Sequence, residues 1–320
     1  MIPGEADAAA LAGRRVVVTG GAGFLGRRVV AELARWGAPE PFVPRRQDYD
    51  LTHPDAVARL YADARPDLVI HLAAVVGGIA ANQANPGRYL HDNVVMGAHV
   101  VEGARRAGVE RLVAVGTVCA YPADPPAPFR EDSLWDGPPE PTNAPYGLAK
   151  RLLLAQCQAY RAQYGLDSVY VIPTNLYGPG DDFDPATSHV VPALIRRMTE
   201  AARAGDDEVV CWGDGRATRD FLYVDDAAEG VVRAAVAPAG GEPINLGSGV
   251  ERSVAEVAEA VAAACGFSGR LRWDPSRPTG QRRRVLDTSR ARDRLGFEAS
   301  TDFEAGLKRT VAWYRQRRPG

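Results

Sequence analysis

A phenol and an ammonium stand four residues apart in the string YGLAK, where Tyr146 is followed by Lys150 within a segment of helical pattern. Residues at this spacing lie on one face of a helix, so the two side chains are expected to be neighbours. Thr117 ends a predicted strand, at the edge of a parallel sheet where ligands bind. Beside the lysine and a positively charged aromatic ring, the phenolate of Tyr146 would be favoured. These residues are therefore candidates for proton transfer to or from a carbonyl or alcohol oxygen, which the Thr117 hydroxyl would hold.

A nucleotide-binding turn is predicted near the beginning of the chain. Three glycines follow the strand-like run RRVVVTG at 14–20 and open a predicted helix. The first permits the tight turn, the second lets a pyrophosphate approach the backbone, and the third allows the helix to pack closely on the strand. Free N–H groups and the helix dipole favour an anion there. The residues expected to form this dinucleotide site are Gly20, Gly23, Phe24, Leu25 and Gly26; a turn that serves packing alone is the alternative.

The segment at the end of the second predicted strand, at 41–46, indicates which nicotinamide dinucleotide binds. An NAD site usually carries an acidic residue there for the ribose diol, whereas this chain carries Arg45 and Arg46. Two guanidinium groups suit a 2′-phosphate, so the predicted cofactor is NADP(H), with Asp50 and Leu51 flanking the adenine. A solvated basic pair that binds nothing is the alternative.

Strands and helices alternate along the first half of the chain, which favours an α/β fold with a Rossmann-like, doubly wound parallel sheet. The apolar runs are β-branched and bounded by glycines or polar residues, as in buried parallel strands. Strands are predicted at 14–20, 41–46, 67–74, 111–117 and 168–174, and helices at 23–36, 54–62, 86–107 and 144–164.

The second half of the chain predicts a smaller C-terminal lobe that binds substrate, because loops lengthen and helices shorten after Asn175. The segment 221–248 again has a strand–helix–strand pattern and is expected to return to the main sheet. The expected organisation is a disordered tail at 1–13, a cofactor-binding Rossmann domain at 14–177 plus 221–248, and a substrate lobe at 178–220 plus 249–316. The stretch 122–145 holds eight of the 24 prolines and is interpreted as an ordered rim of the site, with a passive linker as the alternative.

Composition and charge exclude several classes of partner. The 320 residues carry a net charge of −2 and a pI of about 6.2, so no overall field favours nucleic acid or an anionic membrane. No apolar run reaches the roughly 18 residues that a membrane span needs. Four cysteines lie far apart and the five histidines have no metal-ligand spacing, so we expect no disulfide scaffold, no metal and a cytoplasmic location.

Several strings resemble a known family. TGGAGFLG, HLAA, GTVCAYP and YGLAK are similar to motifs of the extended short-chain dehydrogenase/reductases, which act largely on nucleotide sugars. The longer strings AAVVGGIAAN, EPTNAPYGLAK, PTNLYGPGDDF, SHVVPALIRR and WGDGRATRDFLYVDD resemble the GDP-L-fucose synthases within that group. The resemblance spans about 14–315. It implies an NADPH-dependent enzyme that epimerises C3 and C5 of a GDP-4-keto-6-deoxy-hexose and reduces C4.

The resemblance also implies roles for individual residues. Thr117 takes the place of the catalytic serine beside Tyr146 and Lys150, while Cys119 and His189 match the cysteine and histidine implicated in epimerisation. The residues that would complete the cofactor site are Ala73, Lys150, Pro173, Asn175, Leu176 and His189. Those that would bind the GDP-sugar are Val76, Gly77, Asn175, Arg197, Trp212, Arg219 and Arg284, with packing inside the lobe as the alternative for Trp212.

The residue types suit the implied chemistry. A C4 ketone acidifies the protons at C3 and C5, because the carbanion delocalises onto the ketone oxygen. Cys119 lies two residues after Thr117, near the same ketone, and a thiol titrates close enough to neutrality to act as a base. His189 would return the proton from the opposite face. Tyr146 and Thr117 would stabilise the enolate oxygen, as an oxyanion hole does.

Other functions stay open at this stage. A nucleotide-sugar 4-ketoreductase would lack epimerisation, a GDP-mannose 3,5-epimerase-like enzyme would use its cofactor only transiently, and a sensor would bind NADP(H) without turnover. Cys119 and His189 count against the first, the strings from PTNLYGP to SHVVPALIRR against the second, and the Tyr146–Lys150 pair against the third. The resemblance further implies a homodimer that pairs through the helices near 90–107 and 144–164.

Overall fold

The computed structural model describes residues 9–276 and 280–317. Its strands are β1 (Val16–Thr19), β2 (Leu68–His71), β3 (Arg111–Val115), β4 (Ser168–Pro173), β5 (Asn175–Tyr177), β6 (Glu208–Trp212), β7 (Thr218–Arg219), β8 (Phe221–Tyr223), β9 (Ile244–Leu246), β10 (Arg252–Ser253) and β11 (Arg270–Asp274). Its helices are α1 (Phe24–Arg35), α2 (Pro54–Ala64), α3 (Ile79–Ala84), α4 (Pro86–Ala107), α5 (Ala144–Tyr164), α6 (Val190–Ala204), α7 (Val224–Val236), α8 (Val254–Ala264), α9 (Ser289–Leu295) and α10 (Phe303–Arg317). Within these residues, no helix combines the length and the apolar character needed to cross a membrane.

Five parallel strands form the central sheet, in the order β1-β2-β3-β4-β9. The runs VVVT of β1 and SVYVIP of β4 are buried at every position, as expected for strands that are covered on both faces. The register brings the carboxyl ends of neighbouring strands together, with Thr19 opposite His71 and His71 opposite Ala114. The predicted parallel α/β sheet is confirmed.

The second strand predicted at 41–46 is reduced to a single bridge between Phe42 and Val17. The Phe42 N–H donates to the Val16 carbonyl at 2.8 Å, and the Phe42 carbonyl accepts from Val18 at 3.0 Å. Pro41 and Pro44 have no N–H group, so the ladder cannot continue on either side. The predicted strand was therefore too long. Arg45 and Arg46 nevertheless follow shortly after the bridge, beside β1.

Helices cover both faces of the sheet, which confirms the doubly wound arrangement. On one face, α1, α7 and α9 pack through a cluster that includes Leu33, Val231 and Leu295. On the other face, α2, α4 and α5 pack through a cluster that includes Leu60 and Leu153. Helix α9 was expected in the smaller lobe, but its apolar side chains belong to the first of these clusters.

A third apolar cluster forms the smaller lobe. It joins α6, α8 and α10 through residues such as Leu194, Val257 and Leu307. Around it lie three two-stranded sheets: parallel β6–β11, antiparallel β7–β10 and parallel β5–β8. Of the segment 221–248, only β9 joins the central sheet as expected, whereas β8 pairs with β5 outside that sheet.

The structure describes the amino-terminal segment from residue 9 onward. Residues 1–8 of the predicted disordered segment lie outside the described residues. Leu11, which we also expected in the tail, is fully buried in the cluster beneath α1. Full burial of a leucine side chain contributes about 1.5 to 3 kcal/mol of stability. The burial of Leu11 therefore stabilises the packing of this segment against the domain.

Candidate active site

A cavity of about 830 Å³ lies between the carboxyl edge of the central sheet and the smaller lobe. Every residue that the sequence predicts to act in catalysis or binding lines it. These residues are Gly20, Gly23, Phe24, Leu25, Gly26, Arg45, Arg46, Asp50, Leu51, Ala73, Val76, Gly77, Thr117, Cys119, Tyr146, Lys150, Pro173, Asn175, Leu176, His189, Arg197, Trp212, Arg219 and Arg284. The fold brings them together from segments throughout the chain, whereas the role of each one remains a prediction.

The glycine turn is packed so closely that a side chain at Gly20 or Gly26 would collide with neighbouring backbone atoms. Gly20 has a φ of 72°, and a Cβ at Gly26 would lie 2.1 Å from the Gly20 carbonyl oxygen. The backbone of Ala73 also lies close, because a Cβ at Gly20 would be 2.8 Å from its nitrogen. Helix α1 begins directly after Gly23, which makes no side-chain cap. The first N–H groups of the helix therefore point into the cavity region without an intrahelical acceptor, a geometry that fits a dinucleotide pyrophosphate.

The basic pair after the Phe42 bridge lies at the rim of the same cavity. The Arg46 side chain is 63% exposed and forms a 3.4 Å ion pair with Asp50. Asp50 is held in turn by the backbone and hydroxyl of Thr52, which donate at 3.0 and 2.8 Å. Both arginines line the cavity, so they are placed where a 2′-phosphate of a dinucleotide bound on the glycine turn would be within their reach.

The phenol and the ammonium of the YGLAK string lie in the first turns of α5 and are both buried. Lys150 donates from Nζ to the carbonyl of Val115, at the end of β3, over 2.8 Å. Two residues farther along, Thr117 caps the short 3-10 turn Val118–Ala120, and its Oγ1 accepts the Cys119 N–H at 3.2 Å. The helix and the strand end thus present all of these groups to one part of the cavity.

Burial sets the protonation of the phenol and the amine. Burial raises the pKa of Tyr146, and the nearby Cys119 raises it further. A hydrogen bond with Thr117 opposes this shift. Burial also lowers the pKa of Lys150 to about 8. The phenolate that the sequence favoured requires a bound, positively charged nicotinamide ring, whereas the chain by itself keeps Tyr146 as a neutral phenol, the form that donates a proton. The reason is the removal of the phenol from water, which sequence spacing does not report.

A neutral histidine lies beneath the same region. His71 ends β2, and its Nδ1 is 2.8 Å from the hydroxyl of Thr19 at the end of β1. Burial and the charge of Lys150 lower the pKa of His71 to about 3. The ring is therefore uncharged at neutral pH and fixes the two strand ends next to the glycine turn.

Cys119 and His189 reach the cavity from opposite parts of the fold. Cys119 is half-buried on the 3-10 turn after β3, whereas the other three cysteines are buried in the core, as predicted. His189 is the N-cap residue of α6 and is accessible from the cavity. The protein groups packed around its ring lower its pKa by desolvation; the carboxylate of Asp182 opposes this shift and the charge of Arg284 adds to it.

The lobe side of the cavity carries several cations and an exposed indole. Arg219 is 9% exposed, and burial, together with the charge of Arg284, lowers its pKa to about 9. The guanidinium of Arg197 donates to the carbonyl of Val210 in β6. Trp212 is 55% exposed at the cavity wall. Such exposure counts against the alternative that this indole only packs inside the lobe.

Among the polar residues of the cavity wall that were not singled out from the sequence are Asn82, Asp181 and Gln281. Within the described part of the chain, Asn82 Oδ1 and Asp181 Oδ2 are buried and have no hydrogen-bond partner. Burial raises the pKa of Asp181 to about 7. Gln281 is 7% exposed and contacts Arg284. Asn82 and Asp181 lie within the strings AAVVGGIAAN and PTNLYGPGDDF, which resemble the family, and this was the signal that could have identified them.

Known proteins give an independent comparison. Residues 16–247 match the NAD dependent epimerase/dehydratase family. The chain belongs to this family. A member from Sinorhizobium fredii, a GDP-L-fucose synthase, is 41% identical over 300 residues, which cover 94% of this chain and 95% of that protein. The resemblance drawn from the sequence strings is therefore confirmed.

Solved structures of similar epimerase/dehydratase-family proteins agree over the whole fold. A GDP-L-fucose synthetase from Naegleria fowleri bound to NADP superposes with a TM-score of 0.86 at 29% identity, over 96% of this chain and 95% of that one. A GDP-6-OMe-4-keto-L-xylo-heptose reductase from C. jejuni has a TM-score of 0.89 at 26% identity, over 95% of this chain and 98% of that one. The Rossmann-like fold is confirmed, and the two neighbours differ in the sugars that their names state.

Proposed function

We propose that this protein is an NADPH-dependent epimerase-reductase. It acts on a GDP-4-keto-6-deoxy-hexose, inverts C3 and C5, and reduces C4 to give GDP-L-fucose or a close analogue. The observation that carries the proposal is that two chemical sets share one cavity: Tyr146, Lys150 and Thr117 for reduction, and Cys119 with His189 for epimerisation. Full-length similarity to a GDP-L-fucose synthase supports the choice of substrate.

NADP(H) fits the glycine turn and the arginines beside it. The start of α1 has no side-chain cap and lines the cavity, so a pyrophosphate can approach its N–H groups. Arg45 and Arg46 would bind the 2′-phosphate, and Pro173 and Leu176 would flank the nicotinamide from the end of β4 and from β5. When bound, the cofactor supplies the hydride that reduces C4.

Epimerisation would use a base and an acid from opposite sides of the sugar. The Cys119 thiolate removes the proton from C5 or C3, and the electron pair of the broken C–H bond delocalises onto the C4 oxygen. Tyr146 and Thr117 stabilise that oxygen by hydrogen bonding. His189 then delivers a proton to the other face of the same carbon. For the final reduction, Tyr146 donates its phenolic proton to the C4 oxygen, and Lys150 favours the phenolate that is left.

The lobe would hold the nucleotide. Arg197 and Arg219 offer positive charge for a diphosphate, and the exposed face of Trp212 offers a surface for stacking a base. Val76, Gly77 and Asn175 line the same cavity and would contact the sugar. These assignments follow the resemblance to the family.

A nucleotide-sugar 4-ketoreductase without epimerisation is the second candidate. The similarity to the reductase from C. jejuni favours it. The half-buried thiol of Cys119 and the accessible ring of His189 favour the epimerase-reductase, because a plain reduction uses neither group. The same acid–base groups and the intact Tyr146–Lys150 pair count against a sensor that binds NADP(H) without turnover.

We also propose a homodimer in the cytoplasm. Leu148 and Leu152, one turn apart on α5, are 42% and 53% exposed, and Leu90 of α4 is 37% exposed. A second copy of the chain that packs α4 and α5 against the same helices would cover these leucines. Light scattering should give the mass of a dimer, and L148E with L152E should give a monomer.

The cysteines support the proposed cytoplasmic location. All four are free thiols, which fits a reducing compartment.

Product identification tests the proposal. Purified protein is incubated with GDP-4-keto-6-deoxy-D-mannose and NADPH, and the product is identified by NMR. The proposal predicts GDP-L-fucose. A product reduced at C4 but unchanged at C3 and C5 would establish the plain 4-ketoreductase instead. Absence of NADPH oxidation with this substrate would reject both candidates for this sugar.

A further inference from the structure

A guanidinium lies against Cys119, the half-buried cysteine of the cavity wall. Arg284 Nη1 is 3.8 Å from the Sγ of Cys119, although 164 residues separate them in the chain. Arg284 is only 7% exposed. The sequence predicted it as a ligand of the GDP-sugar, and the structure places it beside the candidate base of the epimerisation.

The position of Arg284 is fixed by the same loop that carries the cysteine. Its Nε donates to Gln281 Oε1 at 3.1 Å. The amide nitrogen of Gln281 donates to the carbonyls of Pro122 and Ala123, at 3.0 and 2.8 Å, in the turn just after Cys119. The Arg284 backbone is also bound on both sides, to Thr218 and Asp220. The buried side-chain amide of Gln281 therefore fixes the guanidinium relative to the loop that carries the thiol.

The charge of Arg284 acts on two further groups in the cavity. It lowers the pKa of His189, in addition to the effect of burial and against that of Asp182. It also lowers the pKa of Arg219, whose shift is caused mainly by burial, while Cys119 opposes it. One buried cation thus lies within electrostatic reach of both members of the proposed acid–base pair. A nearby positive charge favours the anion of a thiol and makes an imidazolium a stronger acid.

We propose that Arg284 is a positioning residue of the epimerisation: its guanidinium donates a hydrogen bond to the Cys119 sulfur and aims it into the cavity, with Gln281 fixing the guanidinium. The inference rests on the proposed roles of Cys119 and His189. The thiolate takes the proton from the sugar carbon and becomes a thiol, and the electron pair moves to the C4 oxygen. The imidazolium of His189 gives its proton to the opposite face, which leaves a neutral ring. Exchange with solvent then restores both groups.

Cysteine reactivity in the free protein tests this inference separately from catalysis. The thiolate is the form that reacts with iodoacetamide, and Cys157, Cys211 and Cys265 are at most 2% exposed, so labelling reports on Cys119. Arg284→Met should slow alkylation at pH 7 about tenfold. Arg284→Lys, which keeps the charge, should restore most of the rate. Arg283→Met is the matched control, because Arg283 is half-exposed and paired with Glu251 outside the cavity wall; it should leave the rate unchanged.

A second measurement distinguishes positioning from nucleotide binding. The Arg284→Met protein should lose about tenfold in the kcat of deuterium exchange into the 4-keto sugar, while its Kd for GDP, measured by calorimetry, changes less than about threefold. In a Cys119→Ser background, Arg284→Met should cause no further loss. An unchanged alkylation rate with a weakened Kd for GDP would overturn the inference and leave Arg284 as a nucleotide ligand. If the wild-type protein exchanges no deuterium, the proposed function fails, and the alkylation rates still decide whether Arg284 acts on Cys119.

Discussion

The ammonium of Lys150 donates a 2.8 Å hydrogen bond to the carbonyl oxygen of Val115, the last residue of β3. This bond joins the helix that carries Tyr146 to the strand end that carries Thr117. Because Lys150 is 4% exposed, its charge is held in place by this carbonyl and not by bulk water. The lysine therefore has two functions, the alignment of the reductive residues and the supply of a positive charge beneath them.

Removal of the lysine charge is expected to abolish reduction. Lys150→Met should lower the rate of NADPH oxidation by at least about 100-fold, which is typical for loss of a group that supports proton transfer. The variant also removes the bond to Val115, so its melting temperature should fall. Lys308→Met is the matched control, since Lys308 is the only other lysine and is exposed on α10. A Lys150→Met protein with full activity would contradict the proposed role.

The reductive step should depend on pH through the same residue. Burial lowers the pKa of Lys150 to about 8, so the ammonium is present below that pH and is lost as the pH rises through it. The kcat/KM for reduction should therefore fall above about pH 8. The profile of wild-type protein, measured with saturating NADPH, checks this. A rate that stays constant up to pH 10 would show that the charge of Lys150 is not needed.

Gly147 is expected to be essential because α5 lies against the backbone of the cysteine turn. A Cβ at Gly147 would be 2.3 Å from the carbonyl oxygen of Cys119. Gly147→Ala must therefore displace the turn, and it should reduce deuterium exchange by about tenfold or more. Gly87→Ala is the matched control in α4, where nothing lies within 4 Å of the added methyl group. Equal activity of the two variants would contradict the packing argument.

Cofactor preference should depend on the two arginines at the cavity rim. The double variant Arg45→Ala with Arg46→Ala should lose about tenfold or more in kcat/KM for NADPH, because charge-assisted bonds to a phosphate are lost. The value for NADH should change less than about threefold. Arg106→Ala, an exposed arginine paired with Glu102 on α4, serves as the control. Parallel losses for both cofactors would indicate that the pair does not bind a 2′-phosphate.

Asp181 should make the folded protein less stable as the pH rises. Burial raises its pKa to about 7, above the value of an exposed carboxyl. The folded state therefore holds a proton that the unfolded chain has lost, and stability falls between about pH 4 and pH 7. Asp181→Asn removes this loss, so the variant should gain on the order of 1 kcal/mol over wild type at pH 8 and less at pH 5. Asp124→Asn, at an exposed carboxylate, should show no such difference in thermal melts.

The sequence was informative where local pattern decides structure. Buried β-branched runs predicted the sheet, and because the carboxyl ends of parallel strands meet at one edge, Gly20, Thr117 and Asn175 could be placed in one cavity. The prolines at 41 and 44 also explain, in retrospect, why the second strand has only one bridge. These features depend on a few neighbouring residues, and the sequence contains them directly.

Other features depend on contacts between distant segments. The contact of Arg284 with Cys119 requires the 282–284 segment to lie along β7, which no string reports. The raised pKa of Tyr146 follows from its burial under the completed fold. Leu11 was expected in a tail, and its burial depends on the apolar surface beneath α1. Tertiary packing decides all of these.

Deuterium incorporation tests the central claim most directly. The protein is incubated in D2O with GDP-4-keto-6-deoxy-D-mannose, and C3 and C5 are followed by NMR before NADPH is added. The account predicts deuterium at both carbons with wild-type protein, none with Cys119→Ser, and GDP-L-fucose after NADPH is supplied to the wild type. Reduction of the sugar by wild-type protein with no deuterium at either carbon would contradict it.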